Sequence, residues 1–180
     1  NHSQFSVLQS TASISDLVAA AIRYKMPAVA LTDLGNMMGA FLFAKEVQQY
    51  NAKAEVPLKP IIGCEFFVCE NHRDRSHKDN GYQIVFLAKN KNGYHNLAKM
   101  TSRAYIDGFY YVPRIDKKLV EHYKNDLIVL SGGMYGEIAS KILNVGENQA
   151  EEALLWWKEQ FGEDFYLELS RHDQENEKHV

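Results

Sequence analysis

Five places along this sequence carry side chains that could do chemistry together: His2, Asp33, Glu65, the Ser131-Gly132-Gly133 turn and His172. Two imidazoles and two carboxylates gathered at one rim are the ingredients of a site for Zn²⁺, Mn²⁺ or Fe. Such a site suits metal-assisted phosphoester hydrolysis, in which the ions hold a water and clamp the phosphate. Each residue also has an ordinary role. His2 fits an incidental surface residue near a terminus. Asp33, in Thr32-Asp33-Leu34-Gly35-Asn36, fits a turn or N-cap, and His172, in Ser170-Arg171-His172-Asp173, fits a helix cap. Glu65 lies inside an apolar run, where an ionised carboxylate is costly without a partner, so it serves either a function or a buried structural pair. His72, His77, His95, His122 and His179 fall in segments that read as loops or solvated helix faces and are assigned no role.

Two other segments compete for attention. Gly108-Phe109-Tyr110-Tyr111-Val112-Pro113-Arg114 mixes rings with a cation, as base-stacking surfaces do. The acidic balance of the chain favours instead an aromatic loop packed on the body of the domain. Gly132, Gly133 and Gly136 follow a strand, but their spacing fits neither a P-loop nor a dinucleotide fingerprint.

The elements that must position these residues alternate. Ser13-Ile14-Ser15-Asp16 offers capping oxygens to a helix whose Leu17, Ala20, Ala21 and Tyr24 recur at helical spacing. Pro27 ends it, and residues 28–32 read as a strand buried on both faces. A helix over 38–49 and a strand over 61–68 follow, then a polar stretch, 70–81, that reads as an exposed loop. Strands are expected at 82–88, 127–131 and 165–169, and helices at 93–105, 116–123 and 136–143. Ala150, Leu154, Trp157 and Phe161 mark a further helix, and the tail from Asp173 opens another. Strand–helix repetition of this kind implies a parallel sheet with helices outside. In a closed βα-barrel the strand ends that carry the five places would converge on one mouth.

Composition bounds what that fold can be. The chain has 180 residues, 46% hydrophobic and 24% charged, which suits one globular domain or part of one. Ten Tyr, nine Phe and two Trp supply a core. A net charge of −3 argues against a dedicated nucleic-acid grip. No apolar run approaches the ~20 residues of a membrane span, so no membrane partner is expected. Cys64 and Cys69, five apart, point to opposite faces of a strand and form neither a disulfide nor a finger motif. With no secretory pattern at the start, the expected setting is reducing and cytoplasmic.

Several motifs then occur in order: Asn1-His2-Ser3-Gln4-Phe5-Ser6, Leu31-Thr32-Asp33-Leu34-Gly35-Asn36, Lys59-Pro60-Ile61-Ile62-Gly63-Cys64-Glu65, Ser102-Arg103-Ala104-Tyr105 with Gly108-Phe109-Tyr110-Tyr111, and Leu130-Ser131-Gly132-Gly133. Together they resemble the PHP (polymerase and histidinol phosphatase) domain at the N-terminus of bacterial DNA polymerase III alpha subunits, over essentially the whole chain. The resemblance implies an α/β fold, a distorted seven-stranded βα-barrel whose first and last strands are cut short here. Residues 1–180 would then be a single domain incomplete at both ends.

The resemblance also implies a metal site, and that this copy is eroded. Of the family's ligand positions, His2, Glu65 and His172 are retained, with Asp33 behind them. Gln9 stands where metal-binding members place Asp, Leu34 and Gln83 where they place His, and Gly133 where they place Cys. A hydrocarbon offers no lone pair, glycine no side chain, and a neutral amide is a weak substitute for carboxylate or imidazole. No catalytic residue and no tightly held cofactor is therefore expected here, beyond one residual Zn²⁺ or Mn²⁺. Mg²⁺ would serve the polymerase domains of the parent protein. The implied role is to buttress those domains and to dock replisome subunits such as a separate proofreading exonuclease, with DNA bound through the parent protein. The rival is an active metal-dependent phosphoesterase or 3′–5′ exonuclease. Leu34 is expected to pack against apolar neighbours.

Overall fold

The computed structural model describes residues 1–169. His172 and the tail from Asp173 lie outside the described residues. Helix α1, Ile14–Arg23, begins where the sequence placed it: Ser13 accepts the Asp16 N–H at 3.0 Å, and its hydroxyl donates back to the Asp16 carboxylate at 2.6 Å. Strand β1, Ala28–Leu31, and helix α2, Ala40–Asn51, follow. Next come β2, Lys59–Cys69; β3, Tyr82–Ala88; α3, Lys91–Ile106; β4, Arg114–Asp116; and α4, Lys117–Tyr123. The described chain closes with β5, Leu127–Leu130; α5, Glu137–Asn144; α6, Glu147–Phe161; and β6, Phe165–Tyr166.

The sheet is mixed, which corrects the all-parallel expectation. Strand β2 lies parallel to β1 through residues 59–62 and antiparallel to β3 through residues 63–68; its end pairs parallel with β4. Strand β5 runs antiparallel to β3, and β6 runs parallel to β5. The reason lies in the β2–β3 connection. Residues 70–81 contain no helix to carry the chain back across the sheet, so β3 returns directly alongside β2. Strand β4 escaped the sequence reading because three residues show no periodicity, and its Asp116 also caps α4, accepting the Leu119 N–H at 2.9 Å. The strand expected over 165–169 is regular only over Phe165–Tyr166.

Two apolar clusters hold these layers. In the larger, Cys64, Phe66 and Val68 of β2 and Ile84 and Phe86 of β3 point toward α3 and α6. Phe86 meets Phe66, Trp157 and Phe161 edge-on, with ring centroids 5.6–6.2 Å apart. The smaller packs Ile14, Val18 and Ala21 of α1 and Phe43 and Val47 of α2 over Val29 and Leu31. Because strand side chains alternate, Glu65 and Phe67 face away from the larger core, and Val85 and Gln83 stand opposite them.

Residues 70–81 form a largely exposed loop, as expected, but one that is anchored from within. Arg114 is 0% exposed, and its guanidinium donates to the carbonyls of His72 (3.2 Å), Asp74 (2.6 Å), Asp79 (2.8 Å) and Gly108 (3.1 Å). His72, read as solvated, is buried with Nδ1 2.6 Å from the Asp116 carboxylate. The aromatic segment after α3 is also less packed than expected. Phe109 and Tyr111 are exposed, and the Tyr110 ring lies 5.4 Å from the Arg114 guanidinium.

Candidate functional site

The segment after β1 extends that strand's lane along β2. Glu65 N–H donates to the Asp33 carbonyl at 3.1 Å, and Gly35 N–H donates to the Glu65 carbonyl at 2.7 Å, which sets Leu34 opposite Glu65. On the other side of β1, Thr32 N–H donates to the Asn1 carbonyl, and the Asn1 side chain donates to the Ala30 carbonyl. These bonds deliver His2 to Glu65, with Nε2 2.7 Å from Oε2; the side chains are 28% and 14% exposed. Both readings of Glu65 thus gain content: it has a partner, and the partner is another residue of the proposed set.

Asp33 is 1% exposed. Its carboxylate accepts the Ser3 N–H (2.6 Å), the Ser3 hydroxyl (2.8 Å) and the Ser6 hydroxyl (2.7 Å). Ser6 Oγ in turn accepts the Leu34 N–H at 3.0 Å. Asp33 therefore fastens the turn at residues 3–6 to the end of β1. Behind it, the Cys64 thiol donates to the Asp33 and Asn36 carbonyls, and burial pushes that thiol far above the usual cysteine range.

The four positions that the resemblance marks as substituted lie on separate segments. Gln9 is exposed, its N–H bonded to the Ser6 carbonyl. Leu34 is half-buried and belongs to neither apolar cluster. Gln83 shares the Glu65 face of the sheet. The Ser131-Gly132-Gly133 turn rests against it: Gly132 has φ +76°, and a Cβ there would clash with the Gln83 carbonyl. Gly133 contributes its carbonyl to the Gly136 N–H at 2.8 Å. The structure thus brings together His2, Asp33, Leu34 and Glu65, and sets Gln83 against the glycine turn. His172 lies outside the described residues. Among the described residues, no group of three or more His, Cys, Asp and Glu side chains could hold a metal ion. His2 and Glu65 engage each other, and the Asp33 carboxylate accepts three hydrogen bonds from Ser3 and Ser6.

Two buried polar groups went unnoticed in the sequence. One is the His72–Asp116 pair. Burial raises the Asp116 carboxyl, but the bonds from His72 and from the Leu119 N–H outweigh it and hold the group below its usual range. The other is Glu137 at the start of α5, which accepts from Lys117 (2.9 Å), Lys141 (2.8 Å) and the Trp157 indole (2.8 Å). Burial raises it as well, and the two lysines and the indole bring it below its ordinary range. Asp116-Lys117-Lys118-Leu119 has the form of an N-cap followed by a helix and could have flagged Asp116. Nothing near His72 marks it.

Comparison with known proteins adds ancestry to this geometry. Residues 1–172 match the PHP domain family. The DNA polymerase III subunit alpha of Chlamydia trachomatis is 42% identical over 181 residues, covering 98% of this chain and 14% of that polypeptide. Its counterpart in Borreliella burgdorferi is 42% identical over 175 residues, covering 95% of this chain and 15% of that one. The Deinococcus radiodurans protein of the same name is 35% identical over 182 residues. The chain spans about one-seventh of the length of the curated relatives it matches.

Proposed function

This chain belongs to the PHP domain family, and from that premise we propose that it is the N-terminal PHP domain of a replicative DNA polymerase alpha subunit, with an eroded metal site and a supporting role. Its described α/β sheet would close into the family's seven-stranded barrel with the help of strands from outside this chain. Residues 1–180 form one domain, and its parent carries out Mg²⁺-dependent DNA synthesis in other domains, in the cytoplasm. Its partners are those domains and replisome subunits such as a separate proofreading exonuclease. His2, Glu65 and His172 are remnants of the ligand set, Asp33 is a structural fastener, and Gln9, Leu34, Gln83 and Gly133 are the losses.

The observation that carries the eroded-site reading is the His2–Glu65 bond. Two of the retained ligands meet at 2.7 Å beside Leu34, whose side chain can offer nothing to an ion. Ligand number and geometry set metal affinity, so a set reduced in this way holds ions weakly. The test is elemental analysis of the complete polypeptide after Zn²⁺ and Mn²⁺ loading, beside its Glu65→Gln variant. Equal metal content in the two is expected. A parent that retains one or more extra ions per chain, and loses a phosphoesterase or 3′–5′ exonuclease activity with the substitution, would establish the rival enzyme.

A further inference from the structure

We propose that the apolar face at the end of α3 and along the connection to β4 is a docking surface for another part of the same polypeptide. Ile106, Tyr111, Phe109 and Tyr105 are 71%, 62%, 47% and 42% exposed. Large apolar side chains left to water this close together form a patch of the kind that marks a protein interface. Their positions are fixed. The Tyr105 and Phe109 rings stack, with centroids 6.0 Å apart and planes 24° from parallel. Tyr111 meets Tyr110 edge-on at 4.6 Å. Its backbone sits in the left-handed region at φ 63°, which a residue with a side chain adopts only at a cost. The surroundings hold it there. Tyr110 N–H donates to the Val112 carbonyl at 3.2 Å. The Arg114 guanidinium donates to the Gly108 carbonyl and lies 5.4 Å from the Tyr110 ring, and a Cβ at Gly108 would clash with the Arg114 carbonyl. A surface whose rings are already ordered loses little freedom when it is covered.

The chemistry of the face selects its occupant. The cations that border it are engaged. Arg73 and Arg103 share the Asp107 carboxylate at 3.6 and 3.1 Å, and Arg114 spends its donors on carbonyls. Lys78 Nζ lies 5.0 Å from the Tyr111 ring centroid. Cations committed in this way make a poor track for a phosphate backbone. Rings at the centre with charge kept to the rim are the make-up of a protein interface. The chain spans about one-seventh of the length of the relatives it matches. A segment tethered to this domain would meet the face at a high effective concentration, an advantage that a separate protein lacks. This assignment rests on reading the chain as one domain of a longer alpha subunit.

The experiment is hydroxyl-radical footprinting of the complete polypeptide, purified without DNA or other subunits and read by mass spectrometry. Tyr24, 64% exposed, is the reference, matched to Tyr111 in kind and in exposure. Tyr111 should be oxidised about tenfold more slowly than Tyr24, at every protein concentration. Ile106→Lys puts a charge into the face and suits the last turn of α3. That variant should bring Tyr111 up to the rate of Tyr24 and leave the buried Trp157 slow. Equal rates in the parent polypeptide, or a slow Tyr111 that Ile106→Lys does not release, overturn the proposal. So does protection that grows with protein concentration, which assigns the face to a second copy. Protection that appears only with a single-stranded oligonucleotide assigns it to nucleic acid and overturns the proposal as well. A fast Tyr111 beside the metal contents expected above removes this docking surface and leaves the eroded-site reading standing.

Discussion

Asp33 shows how a residue that looks like a ligand can be fully employed elsewhere. Three donors from Ser3 and Ser6 occupy its carboxylate, so Asp33→Ala would orphan all three and cost about 3 kcal/mol, read as a lower urea midpoint. Glu65→Gln should cost about 1 kcal/mol or less, because the pair with His2 is partly solvated and the amide oxygen still accepts from the imidazole. Charge state matters more at Glu137 and Asp116. Both carboxyls sit below the ordinary values, 4.5 and 3.8, that they recover on unfolding. Their contribution is therefore complete above about pH 5 and is lost as pH falls through the lowered folded values. Urea midpoints across this range should decline in acid, and Glu137→Gln should flatten the decline. The sequence offered Glu65 as an anomaly because it interrupts an apolar strand. Glu137 gave no such signal, since a glutamate opening a helix is ordinary and its burial depends on Trp157, twenty residues away.

At the scale of elements, one side chain fixes a twelve-residue connection. Arg114 reaches three carbonyls of the segment 70–81 and one at the end of α3. A lysine cannot present that fork of donors. Arg114→Lys should cost about 3 kcal/mol and raise amide exchange in residues 70–81 while α6 stays protected. The helices were legible beforehand because their apolar stripes and caps are local, as with Ser13 and Asp16 at α1. Strand β4 and the anchored loop were not. Their stability comes from partners 35–44 residues apart, such as His72 with Asp116 and Asp79 with Arg114, and polar composition alone reads as solvent exposure.

The whole molecule departs from the expected parallel sheet at a single strand, β3, which runs antiparallel to both β2 and β5, and the clue was in view. A polar connection with no helical pattern between two strands calls for an antiparallel return. The long β2 then serves every layer: its first half pairs with β1, its middle with β3, and its end with β4. It also carries both cysteines, each free and buried, with the Cys69 thiol pushed up to about 12 by burial. Thiolate is scarce at neutral pH in either place, so an alkylating reagent can act only while the strand is open. The protein thus has two clocks built into one strand. Cys69 times the fraying of the β4 end, and Cys64 times the loss of the central core. Their labelling rates should diverge under mild urea, with Cys69 first, and converge once the domain unfolds as a unit.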